Sequence, residues 1–593
     1  MNKRQQRRQW KKTAKEHLKK KYWILVVVCL FASFLGIEFG MSFAAVRTQM
    51  PQTSTSEVYQ ELLENEQEEA QTQVNQKTEE IKEHDTNAYL GRSRGVLSSV
   101  VNSYSSGSFL LQIADGLQNM VGSGSVYLVL MILGGLAVYC IVWFFIKETY
   151  LVISRRIVLE SRTYEKVPIR RFLYPIQTKK WTNIAGVMMV KSIYYYLWSL
   201  TGIGGIIKKY SYSMVPYLLA ENPGLRAKEA ITLSRKMMKG HKWEYFVAEV
   251  SFLGWEILNM ITLGISGIFY SNPYRAAFFG EFYAAVRSQA KENQVEGTQL
   301  LEDQYLYQRP EKEAIEKTYS DLKIFVQEHE GETIVAPKGI QGILSRYFGI
   351  MLFASEQVQT YEKQRENQYR CKQSQEILNG QVYPGRMAPK PLSEKEIRTA
   401  RLMPTRSYSA VHLIMMFFVI SFIGWLWEVS LHLISDGVFV NRGVLHGPWL
   451  PIYGSGGILI LVILRKLREK PILEFLSAVV LCGCVEYYTA WHLELVHNGQ
   501  KWWDYSGYFL NLHGRICAEG LLVFGLGGLA IVYLVAPVLD DLLNKINRKV
   551  LLVVTIVLLF IYMGDKVYSD QHPNTGEGIT SVCVEKESMP GNL

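Results

Sequence analysis

Val126 to Ile146 reads VYLVLMILGGLAVYCIVWFFI, a run without a single charged side chain. At 1.5 Å per residue in a helix it covers about 30 Å, the thickness of a bilayer's hydrocarbon core. Working outward, the 48% apolar content of the 593 residues falls into similar blocks. They run over Tyr22–Val46, Asn183–Gly204, Tyr245–Ile265, Ser409–Trp427, Trp449–Leu464, Leu473–Leu495, Ile516–Ala536 and Val550–Met563, with weaker ones at Ile206–Ala220 and Ile268–Val286. The expectation is an all-α, polytopic membrane protein of ten or eleven spans in two transmembrane units.

The formal charge of +10 has one source. Met1 to Lys21 holds ten Lys or Arg and one acid, so the rest of the chain is almost balanced. A basic start followed at once by an apolar block places the N-terminus in the cytoplasm by the positive-inside rule, with attraction to anionic lipid as a second effect. The same immediacy argues against nucleic acid as the partner of the basic arm. The basic region and apolar run are both too long for a cleaved secretory leader, so the segment reads as an anchor. Loop 47–107 then falls outside, rich in Glu57, Glu61, Glu64, Glu66, Glu68 and Glu69, as a solvated stalk or a receptor arm. Arg155, Arg156, Arg162, Arg170 and Arg171 mark a return to the cytosol. Ala220–Trp243 reads as an amphipathic helix ended by Gly240.

These signals give an N-terminal unit over 1–286, a Pro-punctuated cytosolic linker over 287–407, a C-terminal unit over 408–564 and an extracytoplasmic tail over 565–593. Within the linker, Ile343–Ala354 is too short to span and reads as a helix on the membrane surface or on a partner helix. The seven cysteines, with Cys482 and Cys484 as C-x-C inside an apolar helix, give neither a disulfide framework nor a metal site. No phosphate-binding G-x-x-x-x-G-K-[ST] occurs, so no ATPase and no cofactor is expected in the chain.

Ionisable groups in hydrocarbon cost several kcal/mol unless paired or wetted, which makes them functional candidates. In the C-terminal unit these are Glu428, Glu486 and Glu519, and beside them Arg442 and Arg515, whose planar forks suit carboxylate or phosphate. The run NRGVLHGPWLPIYG, Asn441–Gly454, sits at the expected outer boundary with Asn441 and His446; the loop His497–Gly520 adds Trp503 and Asp504. Trp502, Trp503, Tyr505 and Tyr508 read as an aromatic belt, while Glu494 at a helix end can reach water. Two readings stay open: a structural ion-pair cluster pinning a re-entrant loop, or a site for a lipid headgroup or small polar solute with Arg442 and Arg515 as anion contacts. A catalytic use of His446 or His513 has no motif behind it, and no residue is assigned a catalytic role. In the first unit Lys191, Glu249, Glu256 and Arg275 lie in or near spans; Glu249 and Arg275 are expected to pair between helices.

The ordered motifs GWLWE, NRGVLHGPWLPIYG, EYYTAWHLE, WWDYS and NLHGRICAEG between Tyr408 and Leu543 resemble the bacterial family called "putative ABC-transporter type IV". The first unit resembles a bacterial membrane family of unknown function, nine-seven-five. It does so through AKEHLKKKYWILVVVCLFASFLG, through the long stretch beginning YSYSMVPYLLAENPGLRAKEA, and through SNPYRAAFFGEFYAAVR. The first resemblance implies a permease-like component of the bacterial cytoplasmic membrane whose ATPase is a separate subunit. The rivals are a membrane enzyme acting on a lipid headgroup at the outer leaflet and a structural or sensory protein.

Overall fold

The structure, a computed structural model, describes residues 3–34, 37–39, 142–262, 264–352, 356–389, 403–404, 406–436, 440–497, 499–506, 511–575 and 579. Residues 126–141 of the charge-free run and the acidic loop 47–107 lie outside them. The fold is all-α; the two named strands, β1 (Ile350–Met351) and β2 (Tyr408–Ser409), pair in parallel over two residues each. The described chain divides into two units, one of residues up to 39 with 142–331 and 370–389, the other of 332–369 and 403 onward.

In the first unit the basic opening is a helix, α1 (Lys3–Lys20), that buries Trp10, Ala14, His17 and Leu18. The spacing of four, three and one puts these on a single face. Trp10 meets Phe278 and Phe282 edge-on at 6.5 and 5.3 Å. The longer helices that follow in this unit are α2 (Tyr22–Phe34), α3 (Thr149–Thr163), α4 (Trp181–Ser199), α5 (Ile203–Ser211), α6 (Val215–Glu221), α7 (Ala227–Met237), α8 (Lys242–Val250), α9 (Leu253–Ile261) and α10 (Asn272–Glu292), with shorter ones at Tyr174–Gln177, Lys312–Thr318 and Ser320–His329. The amphipathic α7 buries Ala230, Ile231, Leu233 and Met237 and is followed by Gly240 at φ +87°, the left-handed turn expected of its terminator.

Tyr245–Ile265, one block by composition, is two short helices broken at Ser251 and Phe252. The Ser251 hydroxyl donates to the Ala248 carbonyl at 2.7 Å, a side-chain bond that competes with the helical ladder. Arg275 reaches Glu256 at 2.9 Å and Glu249 at 3.7 Å, and Lys191 reaches Glu148 at 3.1 Å. Buried Arg287 holds Glu221 through two nitrogens, with Tyr283 and Tyr307 donating to the same carboxylate. Leu301, Leu306 and Tyr383, from the stretch read as linker, belong to this unit's core.

The second unit carries helix α11 (Glu356–Leu378) up to residue 369, then α12 (Ala410–Asp436), α13 (Pro451–Ile463), α14 (Pro471–Val496), α15 (Ala518–Ala530), α16 (Ala536–Leu543) and α17 (Arg548–Gln571). Proline at the first position starts both α13 and α14, where its missing N–H costs nothing. Four helices among the described residues are long and apolar enough to cross a membrane: Ala410–Val429, Pro471–Val496, Gly520–Leu543 and Arg548–Gln571; Tyr22–Ser33 and Pro451–Ile463 are shorter apolar helices. Small residues let them pack closely. A Cβ on Gly454 would lie 2.1 Å from Ser421 Oγ, and one on Gly525 would lie 2.5 Å from the Phe475 ring. Of the stretch expected as a surface helix, Leu344–Phe348 forms one wide helical turn continuing Gly339–Ile343, and Gly349 at φ +71° ends it before β1.

Candidate functional site

Because α12, α14 and α17 run one way and α13, α15 and α16 return, residues 440–450, 499–506, 511–517 and 572–575 gather at one end of the second unit. The basic turns Arg465–Lys470 and Lys545–Lys549 gather at the other.

At the first end Glu428, near the close of α12, receives two donors. Arg442 Nε approaches Oε2 at 3.3 Å and the Tyr453 hydroxyl donates to Oε1 at 2.9 Å. Arg442 also donates to the Ile579 carbonyl at 3.2 Å. Asn441 organises the loop: its carbonyl oxygen Oδ1 accepts from Trp425 at 2.7 Å and its amide donates to the His446 carbonyl at 2.8 Å. Asn574 ties the loop down from beyond α17, donating to the Asn441 and Gly443 carbonyls at 2.9 and 3.0 Å.

Glu486, sixteen positions into α14 by its numbering, is 4% exposed. The Tyr505 hydroxyl donates to its Oε1 at 3.1 Å, and its Oε2 meets no donor among the described residues. Glu428 and Glu486 lie close enough to act on the same two phenols, Tyr453 and Tyr505. Burial and then these carboxylates push the Tyr505 phenol well above its usual range, so it stays a donor. The Glu519 backbone is in α15, but its side chain lies outside the described residues, as does Tyr508.

Arg515 is elsewhere. It grips Glu494 through Nε at 3.1 Å and Nη2 at 2.7 Å, and donates to the Tyr487 hydroxyl, which in turn meets His513 Nδ1 at 2.8 Å. Trp503 donates to the Arg515 carbonyl at 3.1 Å. Asp504 accepts from Ser506 N and Oγ at 2.9 and 2.6 Å, and Lys501 lies 3.3 Å away. Burial pushes the Asp504 carboxyl up, but these donors outweigh it and hold it below its usual range. Its work is to shape the turn.

His446 belongs to a third group. Its Nδ1 meets Ser569 Oγ at 2.9 Å, while Asp565 accepts from the backbone of His446 and Gly447 and from Trp449 Nε1 at 3.1, 2.9 and 2.8 Å. Ser569 is fully buried and lies 3.2 Å from Asp565, so it presents no nucleophile to a substrate. Among the described residues no group of three or more His, Cys, Asp or Glu is placed to hold a metal ion.

The structure thus brings Glu428, Asn441, Arg442 and Glu486 into one region with Tyr453 and Tyr505, and puts Arg515, Trp503 and Asp504 into a neighbouring loop with Glu494. Sequence reasoning missed Tyr453, Asp565 and Asn574. A phenol three residues into a helix and an acid one turn before a serine carry little signal by themselves.

Two family models match. Residues 415–569 match the family described as "Putative ABC-transporter type IV", and residues 120–290 match one described as "Protein of unknown function (DUF975)". Both agree with the resemblances carried by the motifs in each half. No curated protein and no solved structure matches the chain.

Proposed function

We propose that this multi-pass membrane protein is a permease-type component without an ATPase of its own, whose second unit receives a small polar solute or a lipid headgroup beneath loops 440–450 and 499–506. One observation carries the reading: Glu486 is almost completely buried within a membrane-length helix, yet only one of its oxygens has a donor among the described residues. Half-satisfied carboxyl groups at such depth are costly, and proteins retain them where a ligand or proton completes the set.

The pairing of charges narrows the ligand. Arg442 and Arg515 already hold Glu428 and Glu494, so what is left over near Glu486 is acceptor capacity rather than cationic charge. Ligand hydroxyl or amine donors suit that surplus better than a bare anion, with the Tyr453 and Tyr505 rings as walls. The basic turns at the opposite end support an orientation with the site at the outer face of the bacterial cytoplasmic membrane and the N-terminus in the cytosol. A separate ATPase subunit would then dock from the cytosolic side.

The test is comparative. Full-length wild type, Glu486→Gln and Tyr505→Phe are purified in parallel and their retained lipids and small molecules identified by mass spectrometry. A species held by wild type and depleted at least several-fold in both variants is the expected result. Identical retained sets in all three would remove the binding reading and leave an ion-pair scaffold.

A further inference from the structure

The first unit carries a second polar feature, independent of the one above. Helices α4 and α5 form a hairpin turning at Gly202, whose φ of +63° only glycine adopts easily. The hairpin tip is apolar and bare: Tyr196, Leu197, Leu200, Ile203 and Ile206 are all exposed, Ile203 by 74%. Lys208 follows five residues after Ile203, about 8 Å along the axis. Its ammonium sits 4.2 Å from the centre of the Trp198 ring.

Two further cations are brought to Lys208 by packing. Ser234 of α7 donates to the Ser211 carbonyl of α5 at 2.7 Å, which sets Arg235 beside it. Tyr210 of α5 packs on Tyr245 and Phe246 of α8 at 5.8 and 6.2 Å, which brings the start of α8, Lys242, to the same place. Arg235 and Lys242 are the charges that repel Lys208. None of the three forms an ion pair among the described residues, and the neighbouring carboxylates are engaged: Glu229 with Arg226, Glu244 with Lys3 and His241, Glu249 with Lys209 and Arg275. Trp243, 71% exposed, stands next to Lys242.

Lys208 one to two helical turns behind an apolar tip, joined by two more cations that form no ion pair among the described residues and flanked by two tryptophans, has the layering of a headgroup boundary. We propose that Lys208, Arg235 and Lys242 bind the phosphate of an anionic phospholipid, with the α4–α5 tip in its acyl region and Trp198 and Trp243 at its glycerol level. The charge complement selects this occupant: a zwitterionic lipid brings its own cation into a cluster that already repels itself.

Full-length protein in a neutral detergent is titrated with phosphatidylglycerol or phosphatidylcholine, and bound lipid is counted by native mass spectrometry. Wild type retains at least one phosphatidylglycerol in preference to phosphatidylcholine. The preference weakens roughly fivefold for each cation removed on the way to the triple variant K208Q/R235Q/K242Q. K208R/R235K/K242R, which keeps the charges, keeps the preference, and added salt weakens it in wild type. Unchanged retention in the Gln variant, or insensitivity of the wild-type preference to salt, overturns the proposal. So does displacement of the lipid by millimolar inorganic phosphate, which would mark a free-anion site.

Discussion

The Tyr505 hydroxyl, on the loop after α14, donates to Glu486 Oε1 at 3.1 Å, so a loop outside the helices supplies the single donor found for a carboxyl group inside one. The loop is held for this by Tyr505 N, which donates to the Gly514 carbonyl at 2.7 Å.

If Glu486 is kept for binding rather than stability, removing it relieves the fold. Glu486→Met is expected to raise unfolding stability by about 1–3 kcal/mol while abolishing ligand retention, since a buried group short of partners is replaced by an apolar one of similar size. Thermal unfolding in detergent reads this directly; a loss of stability beyond 1 kcal/mol would mark Glu486 as a structural member of the bundle.

Arg287 and Glu221 behave in the opposite way. Both are buried and joined through two nitrogens, with two tyrosine hydroxyls completing the carboxylate. Arg287→Ala is expected to destabilise the first unit by about 3–5 kcal/mol because Glu221 is left charged and buried. Adding Glu221→Gln should recover part of that loss, measurable as a partial return of Tm.

His17 gives the first unit a pH dependence. Burial dominates and pushes its imidazole down to about 4, against the opposing pull of Glu281, while Ser161 Oγ meets Nε2 at 2.8 Å. The unfolded chain binds the proton near pH 6.5 and the folded chain does not, so stability is full above 6.5 and falls as pH drops toward 4. The loss amounts to about 3 kcal/mol and levels off below 4. His17→Gln should flatten that part of a stability profile taken between pH 7 and pH 4.

Gly454 sits where α12 and α13 touch. A methyl group there would meet Ser421 Oγ at 2.1 Å and the Phe417 carbonyl at 2.6 Å, and the latter cannot swing aside. Gly454→Ala should cost about 1–3 kcal/mol, whereas Gly499→Ala, with open space around its Cβ but φ +87°, should cost about 1 kcal/mol through backbone strain alone. Comparing the two by thermal unfolding separates helix contact from loop strain.

The second unit was readable because each apolar block between Ser409 and Met563 lies in one helix or a helix pair, and the blocks' ends carry Pro, Gly or basic clusters that act locally. Glu428, Arg442 and Glu486 were readable as out-of-place charges. The partner of Arg515 was not: Glu494 has access to water by its position at a helix end, and only the turn of residues 511–517, with His513 at φ +54°, brings the guanidinium to it. Tertiary contacts also decide the first unit. There an apolar stretch such as Tyr245–Ile265 breaks into two helices against Phe278, Phe279 and Phe282, and no local periodicity announces the break.

Asn574 lies three residues past the last helix yet bonds to the Asn441 and Gly443 carbonyls, donates its backbone N–H to Val444 and accepts from Trp502. It therefore acts as a clasp between two surface loops that are far apart in the chain. A purification handle placed directly after Gln571 would undo this clasp while sparing every long helix, and preparations tagged there would look sound yet lose the tie between residues 441–444 and Trp502.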